Sequence, residues 1–140
     1  MLQQRTIGKS ISASGVGLHS GKKVNMTLRP ANENIGIVFR RVDLDPVQEI
    51  EAKAEFVTDT VLGTTITKNS ASVMTVEHLL AAFSGLGIDN VYVDLKGPEI
   101  PIMDGSCISF ILLIESAGIK EQNSPKKFLR IKKSVRVEDG

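Results

Sequence analysis

A chain of 140 residues with 17 Lys and Arg against 16 Asp and Glu, 41% hydrophobic and 24% charged, has the make-up of one soluble globular domain, and at ~150 residues burial of about 68–70% of the unfolded surface needs no disulfide or metal. The single cysteine, Cys107, cannot close an internal disulfide, and a net charge of +1 gives no strong pull toward nucleic acid or anionic lipid. The longest apolar stretch, Ile108 to Ile114, is far short of the ~20 residues of a bilayer crossing, and the N-terminus lacks the apolar run of a signal peptide, so the expected compartment is the cytoplasm.

Thr6 to Ser14 is rich in β-branched and small polar residues and reads as a strand. Gly15 to Gly21 follows as a glycine-rich turn with positive φ angles, and Val24, Met26 and Leu28 then alternate with polar residues until Pro30, which predicts a hairpin with a wide tip. Ile35 to Val42 and Ala52 to Val57 are further strand candidates, and Thr60 to Thr67 suits an edge strand. Val76, Leu79, Leu80, Phe83 and Leu86 lay one apolar stripe along a helix with Thr75 as N-cap and Gly85 or Gly87 as stop. Val91, Val93 and Leu95 mark the next strand, and a stiff loop runs from Gly97 to Gly105. A second helix over Ser106 to Ala117, apolar enough over Phe110 to Ile114 to be covered on most sides, ends at Gly118. Phe128 to Ile131 and Ser134 to Val137 are read as closing strands, and the lysine pairs 22–23, 126–127 and 132–133 as solvated strand ends. The pattern predicts an α+β fold: a two-layer sandwich with a mixed, mostly antiparallel sheet and two helices packed on one face. An unfinished strand or turn at Gly140 suggests a truncated chain.

The glycine-rich turn does not open a helix, which sets it apart from a dinucleotide-binding loop; His19 at its tip is either solvated or carried to the rim of a site. Glu77 and His78 occupy the first turn of the strongest helix, whose dipole favours an ionised carboxylate and a neutral imidazole. Those are the forms that accept a proton and bind a metal, although dipole stabilisation alone also selects a glutamate there. A catalytic zinc takes three protein ligands, and with only two histidines on separate elements the chain cannot complete such a site. Asp104 before the second helix reads as a cap or as a polar support beside a site, and Cys107 as a small packed residue.

Three segments, Gly15-Val16-Gly17-Leu18-His19-Ser20-Gly21, Thr75-Val76-Glu77-His78-Leu79 with Gly85-Leu86-Gly87-Ile88-Asp89-Asn90, and Pro98-Glu99-Ile100-Pro101-Ile102-Met103-Asp104-Gly105-Ser106, resemble in order and spacing the UDP-3-O-acyl-N-acetylglucosamine deacetylases. That family comprises zinc amidases which commit Gram-negative bacteria to lipid A. The resemblance covers essentially all 140 residues and implies that residues 1–140 are the N-terminal domain of a monomeric two-domain enzyme, its second domain absent. It implies that His78 is a zinc ligand and Glu77 the general base, with the remaining zinc ligands and the general acid in the second domain. Leu18, His19, Val61 and Leu62 match positions lining the cleft for the UDP-sugar acyl substrate, and Asp104 would belong to the polar surround. Gly63 is a departure, since some relatives carry cysteine there. The fragment alone is expected to be nearly inactive, and the alternative is a folded structural or binding module. The face that the second domain would cover is expected to be apolar.

Overall fold

The computed structural model describes residues 1–140, and its central layer grows from the two strands whose alternation is clearest. Strand β1 covers Gln3–Ile7, β2 Ile11–Val16, β3 Lys23–Pro30, β4 Ile37–Arg41 and β5 Gln48–Glu51. After a 3-10 turn at Ala54–Phe56 come β6 Val57–Asp59, β7 Thr65–Lys68 and β8 Ala71–Val73. Helix α1 spans Glu77–Leu86, β9 Val91–Lys96, α2 Ile108–Ala117 and β10 Ile119–Pro125.

The main sheet has the order β2-β3-β9-β4-β5, with β9 and β4 parallel and every other pair antiparallel. Val24, Met26 and Leu28 of β3 and Val91, Val93 and Leu95 of β9 are fully buried, because period-two alternation sends each set to the face the helices cover. Leu79, Ala82 and Phe83 of α1 and Phe110, Ile114 and Ala117 of α2 meet them in one core cluster. Each large apolar side chain so buried is worth about 1.5–3 kcal/mol of transfer free energy. On the opposite face Asp94 accepts hydrogen bonds from Arg29 at 2.7 Å and Arg40 at 3.0 Å, as suits a solvated surface. The α+β layering and the mixed, mostly antiparallel sheet are therefore as expected, with two smaller sheets, β1-β10 and β6-β7-β8, added.

Several local expectations change. Thr6 to Ser14 is two strands of different sheets, broken at Gly8. Ala52 to Val57 holds the 3-10 turn and only the first residue of β6, and Thr60 to Thr67 divides into a loop followed by β7, the central strand of its small sheet. Residues 126–140 form no strand: Phe128, Leu129, Ile131, Val135 and Val137 are exposed and have no neighbouring strand to pair with. Pairing with β1 falls instead to β10, which is mostly polar. Helix α2 is covered on one face only, since Leu112 is 62% exposed and Ile108 58%. Lys126 is not a solvated strand end; its Nζ donates to the Gly87 carbonyl and to Asp89 and so satisfies the C-terminal end of α1.

Candidate active site

Gly87, with φ +67°, stops α1, but the other end differs from the sequence reading. Thr75 is not an N-cap: it sits in the left-handed region at φ +57°, its hydroxyl donates to Glu99 at 2.9 Å, and its oxygen accepts no N–H of the helix. Positive φ is uncommon for a β-branched residue, so this turn is held by its surroundings. Beyond it the helix begins with Glu77 and His78 side by side, both half-buried.

Two loops close over that helix start. In the loop between β6 and β7, Asp59 Oδ1 accepts the Val61 N–H at 2.9 Å, Leu62 is left-handed at φ +57°, and Thr64 donates its N–H to Glu77 Oε2 at 3.0 Å. The loop between β2 and β3 brings His19, whose Nε2 lies 3.1 Å from the Leu62 carbonyl. A carbonyl only accepts, so this contact puts the proton on Nε2 and directs Nδ1 elsewhere. Gly63 marks where the parts converge: a Cβ built there would lie 3.4 Å from both Glu77 Oε1 and His19 Nε2, and 3.7 Å from Thr75 Oγ1. His19, Val61, Gly63 and Thr75 line one hollow of about 230 Å³. Leu18, Val61 and Leu62 present exposed apolar side chains on the same two loops, at 59%, 76% and 84% exposure.

The expected residues therefore divide into groups. Glu77, His19, Val61 and Leu62 come together around Gly63, and His78 adjoins Glu77 on the helix without forming a hydrogen bond of its own. Asp104 is exposed in the turn before α2, where it accepts the Ser106 N–H at 3.0 Å. That bond, with the hydroxyls of Ser106 and Ser109, holds the Asp104 carboxyl below its ordinary pKa. Cys107 is half-buried and packs against the core.

Glu99 is the group sequence reasoning passed over. It is fully buried and receives the His19 and Ser20 N–H groups at 3.0 and 2.8 Å. Burial by itself would raise its pKa, but those two N–H groups with the Ser20 and Thr75 hydroxyls hold the carboxyl below the ordinary value. The available signal was one acidic residue set between Pro98 and Ile100-Pro101 in a stiff, otherwise apolar segment. It also explains Gly17, one of the glycines that the sequence reading assigned to positive φ. Among Gly15, Gly17 and Gly21 only Gly21 is left-handed. At Gly17 a Cβ would collide with Glu99 Oε2 and Ser20 Oγ, and at Gly15 it would come within 2.8 Å of Pro101.

No group of three or more His, Cys, Asp or Glu side chains in the chain is arranged to hold a metal. The donor chemistry fits at most part of a metal site: the His78 imidazole makes no hydrogen bond and could supply one ligand, with Glu77 next to it in the chain.

Residues 4–140 match the family described as UDP-3-O-acyl N-acetylglycosamine deacetylase. The chain belongs to this family. It is 61% identical over 140 residues to the UDP-3-O-acyl-N-acetylglucosamine deacetylase of Xylella fastidiosa strain Temecula1, covering all of this chain and 46% of that protein. Identity to the deacetylase of that name from Stenotrophomonas maltophilia strain K279a is 59% over 140 residues, and to that of Legionella pneumophila strain Paris 60% over 139, again across 46% of each protein. The chain thus spans about half the length of the relatives it matches.

Proposed function

We propose that this chain is the base-bearing, N-terminal part of a zinc-dependent deacetylase that removes the N-acetyl group from a UDP-3-O-acyl-N-acetylglucosamine, a step of lipid A biosynthesis in the cytoplasm of Gram-negative bacteria. The observation that carries the reading is the convergence of Glu77 Oε1 and His19 Nε2 on one point beside Gly63, at a helix start that also bears His78. Glu77, fixed through its Oε2 by Thr64 N–H, keeps Oε1 available to take a proton from the attacking water. Zinc, when bound by His78 and by ligands of a second domain, would polarise the amide carbonyl and make the water acidic. His19, steadied by the Leu62 carbonyl, and the apolar side chains of Leu18, Val61 and Leu62 would contact the substrate from this side. The general acid for the departing amine, like the other zinc ligands, would lie in the second domain.

The exposed apolar residues Ile108 and Leu112 on α2 suit a face covered by that second domain. Residues 1–140 alone offer an incomplete donor set, so in isolation they would act as a folded module with almost no catalysis. The complete enzyme should release acetate from the UDP-sugar substrate, lose that activity on zinc chelation and regain it on adding zinc. A complete, folded enzyme that releases no acetate under any metal condition would refute the assignment. No helix of the chain is long and apolar enough to cross a membrane.

A further inference from the structure

Glu99 is a fully buried carboxylate with no cationic partner. An ion buried this way is costly unless its hydrogen bonds are well made, and neutral side chains of similar shape stabilise a core at least as well. Its donors are instructive, since they belong to two segments far apart in sequence. Glu99 Oε1 accepts both the His19 N–H, at 3.0 Å, and the Thr75 hydroxyl, at 2.9 Å, while Oε2 accepts the Ser20 N–H at 2.8 Å. One oxygen thus ties the loop that presents His19 to the left-handed residue that launches α1 two positions before Glu77. The segment bearing Glu99 is itself fixed, because Met74 N–H donates to the Pro98 carbonyl and Ile100 N–H to the Met74 carbonyl, at 2.9 and 3.0 Å. Gly17 lacks the side chain that would push the carboxylate out.

We propose that Glu99 is a positioning residue: it locks the His19 loop against the Thr75 turn and so sets the His19 imidazole relative to the Glu77 carboxylate. The assignment rests on the deacetylase reading above for its effect on turnover, but not for the anchoring itself. Charge-assisted hydrogen bonds are about twice as strong as neutral ones. An amide at this place leaves an NH2 group facing an N–H donor, so Glu99→Gln keeps the size of the side chain while releasing one of its ties.

The test uses the complete zinc-loaded enzyme. In Glu99→Gln, amide exchange at His19 and Ser20 should accelerate by at least about tenfold while Met26 and Val93 in the main sheet stay protected. kcat/KM should fall by about tenfold or more with zinc content unchanged. Adding His19→Ala to Glu99→Gln should cost less than about threefold beyond the slower single variant, because the two act through one loop. Unchanged exchange at His19 and Ser20, or losses that multiply in the double variant, would overturn the proposal. If Glu99→Gln fails to fold, Thr75→Val and Thr75→Ser decide: valine should slow turnover and serine restore it, and equal rates for both would count against the link. A wild-type enzyme without acetate release would sink the deacetylase reading, while the exchange data would still rule on the anchor.

Discussion

Glu77 accepts the Thr64 N–H through Oε2 while its Oε1 faces His19 Nε2 across Gly63. One carboxylate oxygen is thereby committed to holding a loop and the other is left for chemistry. This division of labour predicts that size and charge at position 77 can be separated. Glu77→Gln retains an acceptor for Thr64 and should keep the loop in place, yet it cannot take a proton. We expect kcat to drop by about 10²–10⁴ with near-normal zinc content and unfolding temperature. Turnover equal to wild type would remove Glu77 from the mechanism.

His78 should behave differently from its neighbour. Its side chain is half-buried and forms no hydrogen bond, so under the proposed assignment removing the imidazole removes a metal ligand and little else. In the complete enzyme His78→Ala should therefore lose most of its zinc on dialysis while its circular dichroism is unchanged. Stoichiometric zinc retained through the same dialysis would contradict its place among the ligands.

The parts of this architecture that sequence made legible are those in which side-chain period and burial coincide. The stripe of Val76, Leu79 and Phe83 and the alternation of Val24, Met26 and Leu28 each match one buried face, and both elements appear where expected. Strand β10 was hidden because it buries no apolar side chain, its half-buried residues being Gln122 and Ser124. Asn90 donates to the side chains of both Gln4 and Gln122 at 2.8 Å, so amides do what apolar residues do elsewhere. The reverse holds at residues 128–137, where alternating apolar side chains find no partner strand. Around Gly63, Glu77 and His78 were readable as first-turn residues of a helix and His19 as part of a turn, their roles resting on the resemblance. Glu99 was not, because a charged residue in a loop ordinarily signals solvent, and only the long-range closure of residues 17–20 onto residues 98–100 buries it.

Gly63 offers a steric prediction. A Cβ there stands at the near edge of ordinary contact with Glu77 and His19. Gly63→Ala should be tolerated with a modest loss of rate, whereas the branched side chain of Gly63→Val must push the carboxylate and imidazole apart. Displacements of ~1 Å in an active site can cost about 10²-fold in rate, and we expect a loss of that order in kcat/KM for the valine variant. Because the loop is largely exposed, its unfolding free energy should change by no more than about 1 kcal/mol. A valine variant with wild-type kcat/KM would show that the geometry around Gly63 does not matter to turnover.

The ionised state of Glu99 has a signature in the pH dependence of stability. Its carboxyl is held below the ordinary glutamate value of 4.5, because the hydrogen bonds from His19, Ser20 and Thr75 outweigh the opposing effect of burial. With the folded pKa the lower of the two, the unfolded chain takes up the proton first as pH falls. The stabilisation from Glu99 is therefore complete above pH 4.5 and is lost progressively as pH drops through the folded value. Glu99→Gln carries no such charge, while the other carboxylates titrate alike in both proteins and cancel in the comparison. Urea unfolding of wild type and Glu99→Gln should differ by about 1–3 kcal/mol at pH 7, and the difference should narrow steadily below pH 4.5. A gap that stays constant from neutral pH down into the acid range would mean that the Glu99 carboxyl holds its proton equally well in the folded and unfolded chain, and that the hydrogen bonds from His19, Ser20 and Thr75 do not favour its ionised form.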